Sequence, residues 1–117
     1  MRILLATLFF VLTTSVTMAA GARYFSALSD LPLPANLTED THSAVRFDQP
    51  EGRVIVLQAT GTAQPNEIKQ FYNQALPALG WKQVGTNRYS REDETLTLDI
   101  KPLDASHNRV NILLKPE

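Results

Sequence analysis

The segment PNEIKQFYNQALPALGW, residues 65–81, carries the clearest periodicity in the chain. Its apolar side chains recur at the spacing of a single helical face, and they are Ile68, Phe71, Tyr72, Ala75, Leu76 and Leu79. Pro65 suits the first position of a helix, and Gly80 suits the left-handed residue after its end, with Trp81 packing back on Leu76. Pro77 removes one helical hydrogen bond, so we expect a kink or a separate final turn there.

After this helix the apolar period changes from about four residues to two. TLTLDIK at 95–101 and RVNILLK at 109–115 alternate apolar and polar side chains, with Leu113 as the one apolar residue on the outer face. Shorter strand candidates precede them at 81–84 and 88–91, and Glu92-Asp93-Glu94 forms a turn. Such alternation is typical of antiparallel strands with one solvated face.

Two strands are also predicted before the helix. In residues 43–48, Val45 and Phe47 share one face, and residues 53–60 are rich in β-branched side chains. Because Gln49-Pro50-Glu51-Gly52 between them has the composition of a turn, the two segments are predicted to form a hairpin. The element order is therefore β-β-α-β-β-β-β. It predicts an α+β fold in which one amphipathic helix packs on one face of an antiparallel sheet.

The predicted core combines the apolar positions of the helix with one face of each strand. Its aromatic members are interpreted as core residues rather than as a ligand site, because the helix and strand periods already explain their spacing. The predicted core is Val45, Phe47, Ile55, Leu57, Ile68, Phe71, Tyr72, Leu76, Leu79, Trp81, Tyr89, Leu96, Leu98, Ile100, Val110, Ile112 and Leu114.

Residues 1–22 have the features of a signal peptide. Arg2 precedes an almost continuous apolar run, and small residues follow it up to Ala22. We expect cleavage after Ala22, and Thr17-Met18-Ala19 is a second possible site. The alternative is an uncleaved membrane anchor, since about 20 uncharged residues are enough to cross a bilayer. Residues 23–41 are predicted to be an extended, proline-containing arm, and residues 42–117 a single α+β domain.

Composition restricts the location and the partners. The chain has no cysteine, which excludes disulfides, thiolate chemistry and a bacterial lipid-anchoring cysteine. Residues 1–22 contain one charge, on Arg2, so residues 23–117 carry ten basic and twelve acidic residues, a formal net charge of −2. Without a basic patch, no nucleic-acid partner is expected, and a membrane contact is expected only if residues 1–22 stay uncleaved. We expect a periplasmic or secreted bacterial protein, with inner-membrane anchoring of an external domain as the alternative.

Candidate chemical groups are few. His42 and His107 lie in different loops without an acidic or histidine partner at metal-ligand spacing. Glu92-Asp93-Glu94 is contiguous, which favours a solvated turn over a calcium site. The chain has no serine nucleophile elbow, phosphate-binding glycine loop or dinucleotide fingerprint. No catalytic, metal or cofactor residue is therefore assigned, and the protein is interpreted as a non-enzyme.

Three leucines are the candidate partner contacts. Leu31 and Leu33 lie in the arm, and Leu113 lies on the polar sheet face. The arm leucines, together with Leu37, either pack on the domain itself or reach a partner, and we favour packing because a small sheet with one helix leaves apolar surface to cover.

Three segments carry a resemblance: DLPLP at 30–34, FYNQALPALGW at 71–81 and TLTLDI at 95–100. With its FY…L…GW helix ending followed by a meander, the chain resembles small exported bacterial envelope proteins of unknown function. The resemblance implies export and an α+β fold, and it brings no catalytic residue or substrate. The functional expectation is a non-enzymatic exported module that binds a protein or an envelope component. The alternative is a small-molecule binder or minor enzyme with its site between helix and sheet.

Overall fold

The computed structural model describes residues 23–117, and the predicted signal peptide lies outside the described residues. The strands in chain order are β1 (Arg23–Tyr24), β2 (Pro32–Leu33), β3 (Leu37–Glu39), β4 (Val45–Gln49), β5 (Gly52–Gly61), β6 (Lys82–Gly85), β7 (Arg88–Arg91), β8 (Glu94–Pro102) and β9 (Asn108–Pro116). The helix, α1 (Pro65–Ala78), lies between β5 and β6. None of the helices formed by residues 23–117 has the length and apolar character that a membrane crossing requires.

The main sheet is built around the long strand β5. Its order is β3-β5-β9-β8-β7-β6, and all of its pairings are antiparallel. β4 pairs with the first half of β5 and β3 with the second half, on the edge opposite β9. For residues 23–117, the α+β class, the antiparallel sheet and one helix are thus confirmed. β1, β2 and β3 are additional strands that the sequence did not predict.

One face of the sheet holds the core. Alternate residues of β5, β8 and β9 are buried, as period-two packing requires. The helix closes this face with Ile68, Tyr72 and Leu76, each fully buried. Its cap is a Schellman motif: the Gly80 N–H donates to the Pro77 carbonyl and the Trp81 N–H to the Leu76 carbonyl, at 3.1 and 3.0 Å. This is the predicted cap, and the helix continues through Pro77 to Ala78.

The arm packs into the same core. Leu31, Leu33 and Leu37 are all buried in the cluster that includes the helix and sheet, as the packing interpretation predicted. The Tyr72 hydroxyl donates to the Pro32 carbonyl at 2.9 Å, which joins the helix to the arm. The arm backbone also passes very close to Gly61, where a Cβ atom would lie 2.0 Å from the Asn36 carbonyl oxygen.

Five members of the predicted core need correction. Val45, Phe47 and Leu79 are exposed, while Phe71 and Ile100 are only partly buried at the margin of the core. Val45 and Phe47 lie opposite Val56 and Val54, so they point away from the helix. Apart from the three arm leucines, five buried apolar residues were not predicted, which are Phe25, Leu28, Val54, Ala59 and Ala63.

Candidate binding surface on the outer face of the sheet

We call the side of the sheet that points away from α1 the outer face. The strand register aligns one row of side chains across five strands of this face, because directly opposed residues point to the same side. The row consists of Val45, Val56, Leu113, Thr97 and Arg88. Its first three members are apolar. A second row includes Phe47 opposite Val54 and Lys115 opposite Thr95.

The apolar part of the outer face is only partly solvated. Val54 is buried although it does not belong to the core cluster, so its cover comes from neighbours on its own face. Phe47 and Val45 stay 45% and 47% exposed. They are therefore apolar groups that a binding partner can still remove from water.

Two grooves open on the outer face. The larger, of about 560 Å³, lies towards β7 and is lined by Val84, Arg88, Thr95, Thr97, Leu113, Lys115, Pro116 and Glu117. The smaller, of about 360 Å³, lies over β4 and is lined by Phe47, Gln49, Glu51, Val54, Lys115, Pro116 and Glu117. Lys115, Pro116 and Glu117 line both grooves, so the grooves adjoin along the end of β9.

The charges of the grooves are mixed. Arg88 and Lys115 are both exposed and contribute two positive groups. Glu51 and Glu117 contribute two carboxylates, and that of Glu117 accepts a hydrogen bond from the Ser90 hydroxyl. Apolar centres with charged margins are the usual composition of protein contact surfaces.

The structure separates the three predicted contact residues. Leu113 lies on the outer face, in the wall of the larger groove. Leu31 and Leu33 lie in the core, where they are 2% and 7% exposed. Contact between these two leucines and a partner would therefore require the arm to leave the core.

The interface between helix and sheet is filled by side chains. Ile68, Tyr72 and Leu76 occupy it at 0% exposure. Burial raises the pKa of the Tyr72 phenol, which stays protonated and donates to Pro32. At the exposed end of this interface the Tyr89 hydroxyl donates to the Asn73 side-chain carbonyl. The two grooves described above lie on the opposite side of the sheet.

A serine, a histidine and an aspartate meet in the loop between β8 and β9. The His107 Nδ1 atom lies 3.0 Å from Asp104 Oδ1 and also 3.0 Å from Ser106 Oγ. His107 therefore has an acidic neighbour that the sequence analysis overlooked. In a hydrolytic triad the serine and the aspartate contact different ring nitrogens of the histidine, whereas here both contact Nδ1.

This loop is a turn stabilised by its aspartate. The Asp104 carboxylate accepts the backbone N–H groups of Ser106 and His107, each at 2.8 Å. These hydrogen bonds, together with the one to the His107 side chain, lower the pKa of Asp104 to about 2. The arrangement accounts for the shape of the loop without a catalytic role.

The acidic turn between β7 and β8 is likewise explained by its own backbone conformation. Glu92 and Asp93 both have positive φ, at 48° and 64°, which is the conformation of a two-residue type I′ hairpin turn. Among residues 23–117 there is no group of three or more side chains of the metal-ligating types arranged to hold an ion.

The contributions of Val45, Phe47 and Val54 to the outer face were not predicted. A signal for them is the run VIVL at 54–57, which is apolar on both faces of β5. Such a run indicates a strand that is covered on both faces, and the residues opposite Val54 and Val56 are the ones that can cover its outer face.

No protein-family model, curated protein or solved structure matches the chain.

Proposed function

We propose that the chain is a non-enzymatic exported module that binds another protein of the cell envelope through the outer face of its sheet. The observation that carries the proposal is the row of Val45, Val56 and Leu113, an apolar surface opposite the helix-covered core. A partner that covered this row would remove apolar area from water, at about 25 cal/mol per Å² before the costs of association are subtracted.

The chemistry of the outer face defines the kind of partner. Phe47 and Leu113 offer apolar contacts. Arg88 and Lys115 offer charged hydrogen-bond donors, and Glu51 and Glu117 offer carboxylate acceptors. A protein segment with apolar side chains and charged groups of both signs is complementary to this arrangement. A small-molecule site between helix and sheet receives no comparable support, because fully buried side chains occupy that interface.

Affinity capture with one outer-face variant tests the proposal. The tagged protein is recovered from its native envelope together with whatever binds it, alongside Leu113→Asp and the matched variant Leu103→Asp. Leu113 is partly buried on the outer face, whereas Leu103 is 46% exposed and lies in the loop between β8 and β9.

We expect the wild type and Leu103→Asp to recover the same protein and Leu113→Asp to lose it while its melting temperature shows that it is folded. Equal recovery by all three proteins would contradict the outer-face proposal. Recovery of a lipid or glycan in place of a protein would contradict the class of partner.

Export is the second part of the proposal, and it rests on residues 1–22. Intact-mass measurement of the protein from the exported fraction tests it, and we expect a mass that corresponds to a chain beginning at Arg23 or a few residues before it. Full-length protein in the membrane fraction would contradict cleavage and support the anchor alternative.

A further inference from the structure

The strand β4 offers an edge for pairing with another strand. Within residues 23–117 it pairs with β5 alone, and all five of its residues are exposed. Such an edge presents unpaired backbone N–H and C=O groups, which favour the addition of a further strand. At the other end of the sheet, the register of β6 shifts between Gln83 and Gly85, and this irregularity makes that edge less suitable for regular pairing.

The sequence of β4 is complementary to itself. It reads VRFDQ, with Phe47 at the centre, the positive Arg46 before it and the negative Asp48 after it. When two such strands run antiparallel about Phe47, each Arg46 lies directly opposite the Asp48 of the other strand. Opposite charges at directly opposed positions stabilise a strand pair, whereas like charges destabilise it.

Charge also favours this register over the registers centred on Arg46 or Asp48. In an antiparallel pair, adjacent residues alternate between two hydrogen-bonding environments. A symmetric pair of identical strands must therefore be centred on a residue. Centring on Arg46 would oppose two arginines, and centring on Asp48 would oppose two aspartates. Centring on Phe47 gives two attractive pairs and keeps all five residues aligned.

We propose that two copies of this protein pair through β4 in this register, about a two-fold axis that passes beside Phe47. The contact is isologous and closes on itself. It places the two Phe47 side chains next to each other on the outer face, where each is 45% exposed in the single chain. It also joins the two sheets into one and brings the two outer faces side by side. The proposal does not depend on a partner binding to that face.

A single cysteine tests the register, because the natural chain contains none. In Phe47→Cys the two cysteines would be directly opposed, with Cα atoms about 4.5–5.5 Å apart, within the range that a disulfide bridges. In the matched control Val45→Cys, the two cysteines would be offset by four residues, about 13 Å apart. Mild oxidation of the protein from the exported fraction should therefore produce a covalent dimer of Phe47→Cys and leave Val45→Cys as single chains.

Charge reversal tests the attraction independently, by sedimentation over a range of protein concentrations. Arg46→Asp would place an aspartate opposite Asp48 in both pairs. We therefore expect the dimer dissociation constant to rise by about tenfold. Adding Asp48→Arg to that variant restores two opposite-charge pairs and should restore association. Melting temperatures of all variants show that each one is folded.

Three results together support the proposal: Phe47→Cys forms a covalent dimer, Arg46→Asp weakens association, and the addition of Asp48→Arg restores association. It is overturned by a wild-type protein that stays a single chain at every concentration, by equal cross-linking at 45 and 47, or by a dimer that the charge reversals leave unchanged. Failure of this test would leave the outer-face proposal standing, because capture by Leu113 variants is measured separately.

Discussion

At the scale of single residues, Trp81 connects three parts of the molecule. It is 4% exposed, and it follows Gly80 in the helix cap. The Arg91 guanidinium lies 4.3 Å above its ring and also donates to the Leu79 carbonyl at 3.0 Å. The same guanidinium pairs with Asp30 of the arm at 3.2 Å. The indole therefore supports the helix end, β7 and the arm together.

Replacement of this side chain should be costly. We expect Trp81→Ala to lower the free energy of unfolding by about 3–5 kcal/mol, because a large buried ring leaves a cavity. Chemical denaturation measures the difference, with Trp81→Phe as a control that keeps a ring in place. A Trp81→Ala protein with unchanged stability that no longer binds its partner would mean that Trp81 is a binding residue and not a structural one.

The lowered pKa of Asp104 predicts how the loop at 102–108 responds to pH. Its carboxylate accepts two backbone N–H groups, and its pKa falls from the usual 3.8 to about 2. A group with a lowered folded pKa stabilises the fold above its unfolded pKa, and that contribution disappears as the pH falls through the folded value. We therefore expect the ordered loop at 102–108 to persist at pH 4 and to lose this support towards pH 2.

Carbon-detected NMR titration of the Asp104 carboxyl measures this directly. The expected midpoint is about 2 in the folded protein and near 3.9 in the urea-unfolded chain. A folded midpoint near 3.9 would show that the backbone hydrogen bonds do not form in solution.

At the scale of elements, local periodicity made some parts of the fold predictable. The helix at 65–78 and the strands β8 and β9 are long enough for their apolar spacing to identify them. β1, β2 and β3 have two or three residues each, too few to show any alternation. β1 pairs with β2, and β3 pairs with the distant strand β5; no local pattern in residues 23–41 encodes these pairings.

The wrong orientation of β4 has a different cause. Its alternation identified Val45 and Phe47 as one face but not which face meets the helix. That choice depends on the register with β5, where Phe47 lies opposite Val54 and not opposite Ile55. A shift of one residue would reverse every side chain. Leu113 was found because it interrupts the polar face of an otherwise alternating strand.

The residues of the turn between β7 and β8 are poorly suited to its backbone conformation. Glu92 and Asp93 both adopt positive φ, which costs L-residues energy and which Asn-Gly adopts more readily. We expect the double variant Glu92→Asn, Asp93→Gly to be about 1 kcal/mol more stable by denaturant unfolding.

The control replaces both residues with glutamine, which removes the charges without the conformational preference. If the glutamine variant gains as much stability as the Asn-Gly variant, charge repulsion and not backbone conformation limits the natural turn.

At the scale of the whole molecule, the arm and the domain form one unit around a shared core. Leu31 is 2% exposed within that core, whereas Leu103 is 46% exposed. We expect Leu31→Ala to cost about 2–5 kcal/mol of unfolding free energy and Leu103→Ala to cost less than about 0.5 kcal/mol. Thermal and chemical unfolding measure both, and equal stabilities would mean that the arm is not firmly packed in solution.

The whole molecule also has two unlike surfaces. The helix and the arm close one side of the sheet, and the other side presents Val45, Val56 and Leu113 beside the grooves. This difference between the faces is the basis of the proposed function. The sequence predicts it only in part, because the alternation of Val45 and Phe47 does not determine which face of β4 meets the helix.

Methyl NMR of the labelled protein, with and without its captured partner, tests the central claim most directly. We expect the methyl signals of Val45, Val56, Val84 and Leu113 to shift or broaden on addition of the partner. The signals of Ile68 and Leu76, which are buried residues of the helix, should stay in place. Perturbation concentrated at the helix and arm, with the outer-face methyl groups unchanged, would contradict the account.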